Sequence, residues 1–441
     1  MRTLLILIVV STVLISCGKP PSTEVIKPNS PGDLNKAVSV VKDSSGWKIL
    51  VNDRPIFITG MNWDYYPIGT NYEYSLWERP DEFIVNALDD EMSLLKDMGV
   101  NAIRQYTGVP AKWITYIYEK YGIYTMLNHS FGRYGMTLDG EWVATTEYDD
   151  PRVMKILISE VKQLVVDYKD TPGLLFFLLG NENNYGLFWE GAETEDIPEE
   201  SKSKGREKAV ALYKAFNKAA IAMKEVDAAH PVALCNGDVQ YLDLINAHCP
   251  DIDIFGTNIY RGASFGDAFE VMKQGYDKPV VFTEFGSDAF NAVKGIEDQG
   301  AQSYFLIENW KEIYQNAAGL GLAENSIGAF TFQFSDGWWK YGQTKNLHLH
   351  DENASWVNGG YSFDFVDGQN NMNEEWFGIC AKGPTTDEGY YELRPRLAYY
   401  LLQKIHHLKP YQSNQTITAS DQFFEQIKTT LDQFKPKFDK L

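Results

Sequence analysis

"LLFFLLGNENN", residues 174–184, sets six apolar side chains in a row and then turns at once into Gly-Asn-Glu-Asn-Asn. An uninterrupted apolar run with helical segments on either side reads as a strand buried on both faces, as in a parallel sheet covered by helices. Such a strand has no reason to end by desolvating a carboxylate and three amides unless those groups are used there. Glu182 is therefore the first candidate functional residue. The fold follows from how many other runs behave in the same way.

Seven more do: "IFITGMN" (56–62), "NAIRQY" (101–106), "YTMLNHS" (124–130), "PVALCNG" (231–237), "DIFGTNIY" (253–260), "PVVFTEFG" (279–286) and "IGAFTFQFSD" (327–336). Amphipathic segments lie between them. In one, Phe83, Leu88, Met92, Leu95 and Met98 share a face and Gly99 ends the segment. Another starts on Asp150 as N-cap with Pro151 in the first turn. Eight apolar strands alternating with helices predict an α/β fold closed as a (β/α)8 TIM barrel. A doubly wound open sheet is the alternative, but no Gly-rich fingerprint follows the first run. The long segment from Gly337 to Thr385, rich in Trp and Asn, separates the eighth run from a helix expected over 386–408. Connections of that length are usually functional.

The first residues, "MRTLLILIVVSTVLISCGK", carry one Arg, an apolar run too short for a comfortable membrane span, and "LISC" before Gly18. The expected organisation is a signal peptide at 1–16, a lipidated Cys17 opening a Pro/Ser-rich tether at 17–37, the barrel at 38–410 and a helical tail at 411–441. The address is then the bacterial cell envelope. No Asp follows Cys17, which fits the outer membrane. A formal charge of −20 argues against nucleic acid as partner and favours neutral or cationic ligands. Cys235, Cys249 and Cys380 make no zinc spacing and no disulfide framework, although a Cys235–Cys249 bridge stays open. "HLHD" (348–351) reads as a polar loop without a third ligand group, so no metal or cofactor is expected.

Catalytic residues of such barrels sit at the C-terminal strand ends. The ends here are Arg104 and Tyr106, Asn128 and His129, Asn181 to Asn183, Asn258 and Tyr260, Glu284, then Gln333, Asp336, Trp338 and Trp339. Glu182 and Glu284 are the central pair. They are either structural partners of Arg104 or the two carboxylates of glycoside hydrolysis, one protonating the leaving oxygen and one attacking the anomeric carbon. Trp63, Tyr65, Tyr66, Trp77 and Trp189 fall on strand-end loops as candidate sugar platforms.

"LGNEN" resembles the acid/base motif of the family 2 β-galactosidases and β-glucuronidases, in the clan of retaining glycoside hydrolases that share this barrel. "LLKDMGVNAIRQY", "YKDTPGLLFFLLGNE" and "DIFGTNIY" also resemble segments of fungal β-1,3-glucanosyltransferases. The resemblance implies Glu182 as general acid/base and Glu284 as nucleophile. It implies Asn181 on the sugar 2-hydroxyl, Tyr260 on the nucleophile and Arg104 as its counter-charge, with Trp338 and Trp339 as further substrate contacts. His129, read from its place alone, is either a hydrogen-bonded strand-end histidine or a substrate contact. Many clan members end strand 8 with a Trp beneath the sugar. Here the strand reads "FTFQFSD", so Trp338 or Trp339 is expected to reach back from the loop. The function expected is retaining hydrolysis of an oligo- or polysaccharide with β linkages. The alternatives are a β-glucan transglycosylase and a non-catalytic glycan-binding lipoprotein.

Overall fold

The computed structural model describes residues 38–187, 202–412 and 415–438, without the side chains of 202, 203 and 434–438. The leader, Cys17, the tether and Trp189 lie outside the described residues.

All eight apolar runs form strands in the order expected: β1 (Ile58–Asn62), β2 (Ala102–Tyr106), β3 (Tyr124–His129), β4 (Leu174–Leu179), β5 (Val232–Gly237), β6 (Ile254–Asn258), β7 (Val280–Phe285) and β8 (Ser326–Thr331). They close into one barrel, β8 pairing back onto β1 in parallel. The helices between and after them are α1 (Asp81–Met98), α2 (Ala111–Tyr121), α3 (Pro151–Tyr168), α4 (Lys202–Lys224), α5 (Leu242–His248), α6 (Ala268–Gly275), α7 (Gln299–Gln315) and α8 (Leu397–His406). The predicted punctuation is in place. Asp150 accepts the Arg152 amide at 2.8 Å with Pro151 in the first turn of α3, and Gly99 ends α1 at φ 87°. A closed barrel excludes the open doubly wound sheet.

Two apolar layers hold the barrel. Ile58, Ala102, Met126, Leu175, Ala233, Ile254, Val281 and Ile327 fill the interior. A three-stranded antiparallel sheet over Val38–Ile56 adds Val38, Ile49 and Val51 to that same cluster. The interior is thus closed by hydrocarbon at one end, and polar side chains concentrate at the other. The second layer is the seam between strands and helices. Helix α9 (Ile417–Phe438) packs on α7, with the Phe424 and Tyr314 rings 6.2 Å apart and Lys311 2.9 Å from Asp421. Cys235, Cys249 and Cys380 are buried free thiols, so the possible Cys235–Cys249 bridge is absent.

The segment after β8 corrects two expectations. Residues expected to open the last helix form instead the second half of a hairpin, Cys380–Thr385 with Tyr391–Pro395, and α8 starts only at Leu397. Pro395 lacks the amide a helix interior needs. Buried Arg396 then grips Asp336 with contacts of 2.6 and 2.8 Å and Glu297 at 2.6 Å, pinning the end of β8 to α8. Trp338 does not reach back to the barrel mouth. It is 2% exposed, its indole N–H donates to the Leu347 carbonyl at 2.7 Å, and Lys340 Nζ lies 4.8 Å from its ring centre. His350 of the "HLHD" stretch stacks on Trp376 at 3.8 Å. The loop carries its own small aromatic core, and Trp338 is part of it.

A second network anchors the loop after β1. Buried Glu91 of α1 accepts the Trp63 indole N–H at 2.5 Å and the Tyr391 hydroxyl at 2.7 Å. Burial pushes its carboxyl up to about 7. Trp63 and Tyr65 are thereby core residues, whereas Tyr66 and Trp77 stay half-buried.

Trp338→Ala is accordingly expected to cost about 3–5 kcal/mol of stability by emptying a packed site. Urea unfolding measures it. A loss under about 1 kcal/mol would show that the loop does not depend on this ring.

Candidate active site

Arg104 stands at the centre of the polar end, on β2 and 1% exposed. Its neighbour in register on β1 is Asn62. The guanidinium donates from Nε to Asn128 Oδ1 at 2.9 Å, from Nη1 to Glu284 Oε1 at 2.5 Å, and from Nη2 to Asn181 Oδ1 at 2.8 Å and the Tyr106 hydroxyl at 3.1 Å. One side chain thus ties together residues from β2, β3, β7 and the turn after β4. A planar fork with five donors is the group suited to this, because each N–H direction is fixed.

Glu284 is held on both oxygens. Arg104 takes Oε1, and the Tyr260 hydroxyl donates to Oε2 at 3.1 Å. Asn258 on β6 faces Glu284 in register and donates to Asn181 Oδ1 at 3.0 Å. The Asn181 amide nitrogen donates in turn to the Tyr134 hydroxyl at 2.7 Å.

Glu182 follows β4 in a turn made by two residues of positive φ, Gly180 at 81° and Glu182 itself at 56°. A side chain at Gly180 would sit 2.5 Å from Asn183 Oδ1. That oxygen accepts the Asn181 amide N–H at 2.8 Å, and the Glu182 amide donates to the Cys235 carbonyl at 3.1 Å. A non-glycine residue in the left-handed region stores strain, and such strain clusters at functional sites. Glu182 is 9% exposed.

The two carboxylates belong to strands that open at the same end of the barrel. Burial comes first in raising the Tyr260 phenol well above its ordinary range, and the charges of Glu284 and then Glu182 follow. Burial likewise pushes Tyr134 up to about 12, with contributions from the same two charges. The Tyr134 ring is half-exposed, so it is the hydroxyl end that sits in the cleft. Both phenols thus lie within electrostatic reach of Glu284 and Glu182.

Of the residues singled out in the sequence, Glu284, Arg104, Asn181 and Tyr260 meet here, and Glu182 follows Asn181 in the turn after β4. Trp339 stands at the margin. Its indole N–H donates to Asp64 at 2.7 Å, and its ring lies 5.9 Å from Phe332. His129 is a correction. Its Nδ1 accepts the Phe131 amide at 3.1 Å and its Nε2 lies 3.5 Å from Glu160 of α3, so the ring serves the helical layer. Successive strand residues point to opposite faces, and Asn128 takes the inward place. Asn62, Tyr134 and Phe332 were not singled out. Phe332 directly follows β8, its ring 6.4 Å from that of Tyr260. The run "FTFQFSD" contained that signal. Nothing in the local sequence marked Tyr134. Among the described residues no three His, Cys, Asp or Glu side chains are placed to hold a metal ion.

Comparison with known proteins fits this arrangement. No curated protein matches the sequence. Among solved structures, a family 2 β-galacturonidase from Eisenbergiella tayi bound to galacturonate is 15% identical at a TM-score of 0.50, over 86% of this chain and 55% of its own. A β-glucuronidase from Ruminococcus gnavus in complex with D-glucuronic acid is 16% identical at a TM-score of 0.50, over 84% of this chain and 52% of its own. A Parabacteroides merdae β-glucuronidase is 15% identical at 0.50, over 84% and 39%. The chain therefore spans about half or less of the length of these structures, and at such identities the likeness is one of fold. The family model described as glycosyl hydrolases family 2, TIM barrel domain, matches residues 41–381, most of the barrel, and the chain belongs to that family.

Proposed function

We propose that this protein hydrolyses β-linked glycans with retention of configuration, using Glu182 as acid/base and Glu284 as nucleophile. One observation carries the reading: Glu182 and Glu284 stand at the C-terminal ends of β4 and β7, at the same end of one closed barrel, and Glu284 is gripped on both oxygens. Double displacement asks for this asymmetry. The nucleophile must be aimed, and Arg104 and Tyr260 fix the Glu284 carboxylate plane. The acid/base must exchange a proton, and Glu182 stands on the turn after β4, at the same end of the barrel.

In the first step the Glu182 carboxyl gives its proton to the glycosidic oxygen as Glu284 forms a bond to the anomeric carbon and the aglycone departs. In the second, Glu182 takes a proton from water, the water oxygen bonds to the anomeric carbon, and Glu284 is released as carboxylate. Asn181, held by Arg104, Asn258 and Tyr134, is the residue set beside this centre to meet a sugar hydroxyl.

Azide separates the two roles on aryl β-glycosides. With Glu182→Ala it should attack the glycosyl-enzyme and give the β-glycosyl azide. With Glu284→Ala it should replace the nucleophile and give the α-anomer. Reversed anomers would exchange the assignments, and an inverted hydrolysis product from the wild type would sink double displacement.

The envelope address belongs to the proposal and rests on the sequence alone: an apolar run ending in "LISC" supports lipidation at Cys17. Cys17→Ser should move the protein from the membrane to the soluble fraction. Unchanged fractionation would refute the anchor.

A further inference from the structure

Beside the catalytic pair lies a second cavity, of about 280 Å³, at the ends of β1 and β2. Asp64, Tyr66, Trp77, Gln105 and Tyr106 line it. The volume is near the lower end of the ~300–1,000 Å³ usual for ligand pockets. It connects to the reactive centre twice. Tyr106 is shared, because its hydroxyl accepts from Arg104, which also holds Glu284. Asp64 accepts the Trp339 indole N–H, and Trp339 packs toward Phe332 and so toward Tyr260.

The cavity holds polar atoms that the protein leaves unused. Gln105 is 4% exposed, yet both its amide nitrogen and its amide oxygen lack a hydrogen-bond partner. Asp64 Oδ1 and the Tyr74 hydroxyl, also in the lining, are buried without one. Buried polar groups are paired in the great majority of cases, and an orphan carries a desolvation cost. Packing alone would place Leu or Met at position 105. Carboxylate and amide oxygens, an amide donor and a phenol, set against the rings of Trp77, Tyr66 and Tyr106, match one ligand chemistry: a ring with apolar faces and a rim of hydroxyls that both donate and accept. The formal charge of −20 disfavours an anionic ring there.

We propose that this cavity is a second sugar subsite that binds a neutral ring of the same glycan whose neighbouring linkage is cut between Glu182 and Glu284. The proposal rests on the glycosidase reading and extends it. The substrate is then an oligosaccharide of at least two recognised rings, and the ring in the second position is uncharged.

The test is binding by titration calorimetry on the inactive Glu284→Gln protein, with neutral β-linked glucan, mannan and xylan fragments of one to four rings. In parallel, the wild type is assayed for hydrolysis of the same panel. Affinity should rise at least 10-fold when the second ring is added. That gain should vanish in Trp77→Ala and in Gln105→Leu, and when the second ring is a uronate. Gln105→Leu should unfold at the same or a higher urea concentration than the parent, because it breaks no hydrogen bond; this keeps the test sound if Trp77→Ala folds poorly. A chain-length gain that survives in Gln105→Leu, or no gain for any fragment, overturns the subsite. If such a result comes with hydrolysis by the wild type, the glycosidase reading stands without the subsite. A gain that depends on the cavity, with no hydrolysis of any fragment, supports the subsite and removes the hydrolase.

Discussion

The interaction on which the rest of the site depends is the burial of the Arg104 guanidinium. A cation taken out of water to this degree persists only if its donors are met and its charge is balanced. The chain meets this with Asn128 of β3, Asn181 after β4, Tyr106 of β2 and Glu284 of β7. Glu284 in turn engages Tyr260, and Asn181 engages Asn258 and Tyr134. Removing the guanidinium would leave Glu284 and three further groups without their common donor, a loss shared by folding and chemistry alike. Burial by itself would lower the Arg104 pKa, but its neighbours Tyr106 and Glu284, first among several, hold it above its ordinary value.

Stability and chemistry are divided along the barrel axis. The apolar interior, closed by the N-terminal sheet, asks nothing of specific chemistry and supplies the rigid frame. At the opposite end hydrogen bonds replace hydrocarbon. The surrounding loops are braced by separate networks: Glu91 beneath the loop after β1, and Arg396 with the Trp338 and Trp376 stacks in the segment after β8. Positioned this way, functional side chains sit on strands or on loops with their own small cores. The orphaned atoms at Gln105 and Asp64 break this pattern of satisfaction, and they lie beside the reactive cleft.

The fold could be read from the sequence because the strands are buried on both faces over most of their length, so each appears as a mainly apolar run. The residues proposed for the site stand out for the same reason: Glu182, Asn181 and Arg104 interrupt or end apolar runs where a polar group is costly. The failures come where local sequence does not fix direction. Asn128 and His129 are adjacent and equally polar, and only the register of β3 decides which one faces the cleft. Trp338 and Trp339 are likewise neighbours, one turned into the loop's core and one toward Asp64. Phe332 comes beside Tyr260 just past β8, and Tyr134 comes to Asn181 from a loop whose path depends on long-range contacts.

The central claim is that Glu284, aimed by Arg104 and Tyr260, forms the covalent bond to sugar. The most direct measurement is to trap that bond with a 2-deoxy-2-fluoro glycoside bearing a good leaving group, chosen from a substrate the wild type turns over, and to map the modified residue by peptide mass spectrometry. The account expects a single stoichiometric label on Glu284, formed with loss of activity. A label on Glu182, or full inactivation with no sugar attached to the chain, would contradict it.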